Sequence, residues 1–123
     1  MRVLGKYPSL RLRRNRKSEW SRRLVEENNL TVSDLILPIF VMEGRNKVEQ
    51  IKSMPGVMKY SVDKIDSIIN KASKLGIPLV AVFPNTPSRK KNSLGSEALN
   101  ENNLVCRTIR KIKKNKQNIG VMA

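Results

Sequence analysis

The chain contains few side chains suited to catalysis, and their types narrow the chemistry. Histidine is absent and Cys106 is the only cysteine. Imidazole acid–base catalysis and histidine metal ligation are therefore excluded within these residues. So are an internal disulfide and a multi-cysteine zinc site. With no histidine to activate it, Cys106 reads as a small packing residue rather than a nucleophile. Two carboxylates stand out by position. Glu43 directly follows an apolar run and is a candidate metal or acid–base carboxylate, although a single loop glutamate is ordinarily solvated. Glu97 falls at an expected helix start, where a carboxylate offsets the helix dipole, so capping explains it better than catalysis.

The elements that must position these groups follow a simple order. Leu35–Val41 is a continuous apolar, β-rich run, the pattern of a strand buried on both faces of a parallel sheet. Pro38 within it points to a bulge or an unusual place in the sheet. A long polar connection follows. In it Met54-Pro55-Gly56-Val57 fits a type II turn, and its flanks, 48–51 and 57–60, can pair as a small hairpin. The clearest helix spans about 62–75, with Ser61 as its cap and Ile65, Ile68, Ile69, Ala72 and Leu75 on one stripe. Gly76 ends it. A second buried strand covers 79–83. A further helix runs over about 102–115, with Leu104, Val105, Ile109 and Ile112 turned inward. A third strand is expected at 119–123. Upstream, a short helix is expected over 18–28, with Trp20, Leu24 and Val25 as its apolar face.

The order strand, helix, strand, helix, strand predicts an α/β fold with a parallel sheet. The long spacing between strands suits the first two to three β/α units of a (β/α)8 TIM barrel better than a lean nucleotide-binding fold. No Gly-x-Gly-x-x-Gly or Walker pattern follows either early strand. In a barrel, functional residues sit on the loops after the strands, which singles out Met42, Glu43, Phe83, Pro84 and Asn85. The last five residues, Ile119 to Ala123, read as the opening of a strand with no turn or cap after it. The barrel is therefore expected to be incomplete in this chain.

Composition sets the partner classes. Lys and Arg total 25 against 10 acids, a net charge of +15 in 123 residues. Such charge raises nucleic acid or an anionic membrane as a partner. Heavy use of Lys, Asn and Ile equally fits a chain from an AT-rich genome whose charge lies on solvated faces. Aromatic content of 4% does not supply the stacking residues that a basic nucleic-acid-binding module would want. That module is the alternative reading, with nucleic acid the less favoured partner. Residues 1–17 form a basic segment that cannot order itself alone, so it reads as a disordered tail or as an arm docking on a partner subunit. No run approaches a membrane span, and no apolar segment of signal-peptide type follows the basic start. A cytoplasmic protein without membrane partners is the expectation.

From Asp34 to Val41 the sequence resembles porphobilinogen synthase, also called 5-aminolevulinate dehydratase. Further pieces match in order: Ile51-Lys52-Ser53-Met54-Pro55-Gly56-Val57, Val82-Phe83-Pro84 and Gly95-Ser96-Glu97-Ala98. The Arg-rich start, Leu10 to Arg14, and Arg22-Arg23-Leu24-Val25 are similar to the family's N-terminal arm and first helix. The resemblance implies a barrel whose arm wraps a neighbouring subunit, usually in homo-octamers. It implies condensation of two 5-aminolevulinate molecules to porphobilinogen with loss of two waters, in tetrapyrrole (haem) synthesis. It also implies a zinc or magnesium cofactor and two lysines that hold substrate as Schiff bases.

The catalytic and metal residues of the family are expected beyond the position of Ala123, so no catalytic or metal-ligating residue is assigned within the chain. A Schiff-base lysine needs a depressed pKa, and neither 35–41 nor 79–83 contains a lysine. Lys52 and Lys59, in the loop after the first strand, are the nearest candidates and read as ordinary loop lysines. Phe83 is similar to an aromatic of the family's substrate pocket and is the one pocket-lining candidate; a core phenylalanine is the plain alternative. The chain alone is expected to be inactive. The organisation expected is an arm over 1–17 and a partial barrel over 18–123.

Overall fold

The computed structural model describes residues 5–11, 13–115 and 118–123. The chain divides into two compact units, one up to residue 30 and one from residue 31.

In the first unit a 3-10 turn, Arg14–Arg16, precedes helix α1, Glu19–Leu24. The helix expected over 18–28 thus ends earlier, with Val25 as its C-cap. Six residues make few helical hydrogen bonds, and only burial of an apolar face would extend them. Trp20 and Leu24 are instead exposed. The buried residue of α1 is polar: Ser21, whose hydroxyl lies 3.0 Å from the carbonyls of both Asn15 and Ser18.

The second unit is built on five strands: β1 Ile36–Met42, β2 Val48–Gln50, β3 Met58–Ser61, β4 Leu79–Asn85 and β5 Gly120–Met122. Their order is β2-β3-β1-β4-β5, a mixed sheet. β1, β4 and β5 are parallel neighbours, while β2 and β3 form an antiparallel hairpin. The hairpin closes through the expected turn. Val57 N–H donates to Met54 O at 3.0 Å, and Gly56 takes φ +80°, a value that suits glycine at the third turn position.

The sequence did not reveal that β3 also pairs in parallel with the end of β1, from Phe40 to Met42. That pairing explains Pro38. The β1–β4 register runs without a break through Pro38↔Ala81. On the other edge β3 first reaches Phe40, so a proline at 38 removes no bond to β3.

Helices α2, Asp66–Lys74, and α3, Leu104–Lys114, cover one face of the sheet. Ile39, Val41, Val80 and Val82 meet Ile65, Ile69, Ala72, Leu104, Ile112 and Ile119 in one core. α2 ends in a paired glycine cap: Gly76 N–H bonds Ser73 O and Ile77 N–H bonds Ala72 O, with Gly76 at φ +77°. One residue expected inward differs: Leu75, past the last turn, is exposed. Thr108, which the sequence did not single out, is fully buried, its hydroxyl donating to Leu104 O at 2.7 Å.

Ser61 does not cap α2, because a 3-10 turn, Val62–Lys64, intervenes. It is buried instead, accepting from Lys47 N–H at 2.9 Å and donating to Lys47 O at 3.1 Å.

The opposite sheet face is apolar and only partly covered: Met42 and Ala81 on it are buried. Ile36, Phe83 and Met122 are each nearly half exposed. Register aligns Ile36, Leu79 and Gly120 in one row, and Pro38, Ala81 and Met122 in the next. Among the described residues no helix is long and apolar enough to cross a membrane.

Candidate site at the carboxyl ends of the strands

Parallel pairing brings the ends of β1 and β4 together, so Glu43 and the segment after Asn85 share one rim. Glu43 is not solvated alone. Its Oε2 accepts from Arg107 Nη2 at 2.6 Å and its Oε1 from Lys90 Nζ at 3.0 Å. The same Lys90 donates to Glu97 Oε1 at 3.1 Å. The Arg107 guanidinium, assisted by Lys90, holds the Glu43 carboxyl below its ordinary value, against the opposing effect of burial. Glu97 is likewise lowered, first by Lys90 and then by the Asn100 amide. Lys90 is raised by Glu43 and then Glu97. All three are held in their charged forms, so neither carboxylate is tuned to carry a proton near neutral pH.

This geometry revises the reading of Glu97. It lies in a 3-10 turn, Ser96–Leu99, rather than at the start of α3. Asn103 caps α3, its Oδ1 accepting from Cys106 N–H at 2.8 Å. Cys106 is half-buried in the first turn of that helix and lines a hollow of about 860 Å³, together with Lys90, Glu97 and Ile109.

A second hollow, about 600 Å³, opens where the β2–β3 hairpin meets the ends of β1 and β4. Phe40 and Phe83 line it, and Glu49, Gln50, Lys52, Lys59 and Asn85 contribute its polar groups. Lys59 is on strand β3 rather than in a loop, and its ammonium pairs with Glu49 at 3.0 Å. Lys52 lies beyond β2 on the exposed turn. The two lysines are near one hollow, yet neither sits in the desolvated setting that frees an amine for attack.

A divalent metal does not fit the groups brought together here. Among the described residues there is no cluster of three acidic, cysteine or histidine side chains. The best-placed carboxylate, Glu43, is already neutralised by two cations. The sequence missed Lys90 and Arg107 as members of the rim, because their partner lies 47 and 64 residues away.

Comparison with known proteins gives a consistent picture. The family model of delta-aminolevulinic acid dehydratase matches residues 9–123. The delta-aminolevulinic acid dehydratase of Bradyrhizobium diazoefficiens is 53% identical over 114 residues, covering 93% of this chain and 32% of that protein. The same enzyme of Chlamydia pneumoniae is 40% identical over 105 residues, covering 85% of this chain and 32% of that protein. A solved structure of the Toxoplasma gondii enzyme, in complex with its reaction product porphobilinogen, superposes with a TM-score of 0.78 at 31% identity. It covers 91% of this chain and 32% of that one. The chain spans about a third of the length of the curated relatives it matches. By this match, over nearly its whole length, the chain belongs to the delta-aminolevulinic acid dehydratase (porphobilinogen synthase) family.

Proposed function

We propose that this chain supplies the arm and the first two to three strand–helix units of a (β/α)8 barrel that condenses two 5-aminolevulinate molecules to porphobilinogen, a hydro-lyase step of haem biosynthesis. The family match over residues 9–123 carries this reading. The sheet supports the barrel. Its parallel strands have one apolar face covered by helices and one partly open, with side chains in register rows, as a barrel interior requires.

Phe83, at the end of β4 beside a hollow, is the residue we assign to the substrate pocket. No catalytic residue is assigned within the chain. Zinc or magnesium, if used, is held by residues outside it. The chain by itself is inactive in this reading, since among the described residues the one lysine on a strand, Lys59, is tied to Glu49. Residues 1–17 act as an arm against a neighbouring subunit of a homo-oligomer, an octamer in the family, and 18–123 as the partial barrel. Exposed Tyr7 offers apolar surface for that contact. The compartment assigned is the cytoplasm.

Two assays test this. The purified 123-residue chain, given 5-aminolevulinate, should form no porphobilinogen. A chimaera should form it when residues 9–123 replace the matching segment of the Bradyrhizobium enzyme. Turnover by the chain alone would overturn the assignment of inactivity, and a folded but dead chimaera would overturn the dehydratase reading.

A further inference from the structure

From Ser88 to Asn102 the chain crosses the rim with almost nothing buried. In that stretch only Lys90 and Glu97 are less than exposed, and Leu94 and Leu99 point into solvent. No apolar side chain anchors it. Its other bonds are local, such as Asn92 Nδ2 to Ser96 Oγ at 2.6 Å and Ser96 N–H to Asn92 Oδ1 at 3.1 Å, or reach only the start of α3, with Asn103 Nδ2 on Glu97 O at 3.3 Å and Arg110 Nη1 on Asn102 Oδ1 at 3.1 Å. These shape the loop without fixing it to the sheet. The two partly buried residues are the two that join the ion network, and the network ends on Glu43 at the tip of β1.

We propose that Glu43 is a positioning residue. Its carboxylate bridges Lys90 and Arg107 and so seats the 88–102 loop against the end of β1 and the first turns of α3. That loop is one wall of the 860 Å³ hollow, which also includes Lys90, Glu97 and Cys106. Glu43 itself does not line the hollow; it acts through Lys90. The wall is therefore held by charge rather than by apolar packing. The charged groups facing one another are Glu43, Lys90, Glu97 and Arg107, with the Asn100 amide on the Glu97 carboxylate and the Asn103 amide on the Glu97 backbone carbonyl. Half-exposed pairs of this kind contribute little to global stability, so their loss should loosen the loop and leave the core intact.

The test is hydrogen exchange read by mass spectrometry on the 123-residue chain, without substrate, so its outcome is independent of the dehydratase reading. Glu43→Gln should speed exchange in 88–102 by about three- to tenfold, the loss expected for two half-exposed ion pairs. Exchange in β1 and β4 should be unchanged. Glu43→Asp should recover part of the protection. Lys90→Met, which leaves the Glu43–Arg107 pair in place, gives a second route if Glu43→Gln folds poorly. At 1 M NaCl, where charges are screened within about 3 Å, the wild-type loop should loosen more than the Glu43→Gln loop, which keeps only the Lys90–Glu97 pair for salt to screen. Unchanged loop exchange in both variants would overturn the proposal. So would equal acceleration in loop and strands, or an equal salt effect on wild type and Glu43→Gln.

Discussion

Phe40 and Phe83 are register partners on the neighbouring parallel strands β1 and β4, and their rings stack with centroids 5.6 Å apart at 30°. The pair sits on the partly open face of the sheet, and Phe83 is half exposed. Ring pairs in this arrangement contribute about 0.5–1.5 kcal/mol beyond their burial. Phe83→Ala should therefore lower stability by only about 1–2 kcal/mol. A urea titration would check it, and a loss as large as that of a core deletion would show that this face is covered.

Ile69 marks the opposite extreme. It is fully buried between α2 and the helix-covered face of the sheet. Truncation to Ala should cost about 2–5 kcal/mol, a large share of what a domain of this size possesses. The expected result is a melting transition shifted far downward, or no cooperative transition, when followed by far-ultraviolet circular dichroism.

At the start of α3, Asn103 accepts the Cys106 N–H, and its side-chain amide reaches Glu97 O at 3.3 Å. Replacing it with Ala should cost about 1 kcal/mol, whereas Asp, which keeps the capping oxygen, should retain most of that. Comparison of the two variants by thermal melting separates the cap from simple loss of a buried amide.

Acid sensitivity follows from the carboxylates. Glu43 is lowered chiefly by Arg107, Glu97 by Lys90, Asp34 by the Thr31 backbone and hydroxyl, and Asp63 first by Ser61. A carboxylate whose folded pKa is depressed adds stability that is full above its unfolded value and is lost as pH falls through the folded one. Melting temperature should hold from pH 7 to about 5 and fall below the ordinary carboxylate range. Glu43→Gln should flatten part of that acid slope. Lys90 has the opposite sign: raised in the folded state, it contributes below its ordinary value, and that contribution is lost only as pH rises through the raised one.

The sequence carried the parts of the fold that depend on local pattern. Ile65, Ile69 and Ala72 recur at helical spacing, and they are the buried residues of the region around α2. Gly76 follows the last turn and takes the positive φ a helix end favours. The Met54–Val57 turn was legible because proline and glycine each restrict one backbone angle in a known way. The roles of single polar residues were harder to read. Ser61 resembled a cap but is spent on Lys47, and Glu97 resembled a cap but pairs with Lys90. A short polar side chain near a helix start has several partners within reach, and sequence does not rank them.

The sequence by itself determined the family, the alternation of strands and helices and the absence of imidazole and paired-cysteine chemistry, because these rest on residue type and order. Tertiary structure alone decided that β3 joins the edge of β1, that Thr108 is buried, and that Glu43 is locked between Lys90 and Arg107. Each of these depends on segments far apart in the chain meeting in space. Strand pairing and ion pairing are set by the packed geometry of the sheet and helices, and neither leaves a periodic trace in the sequence.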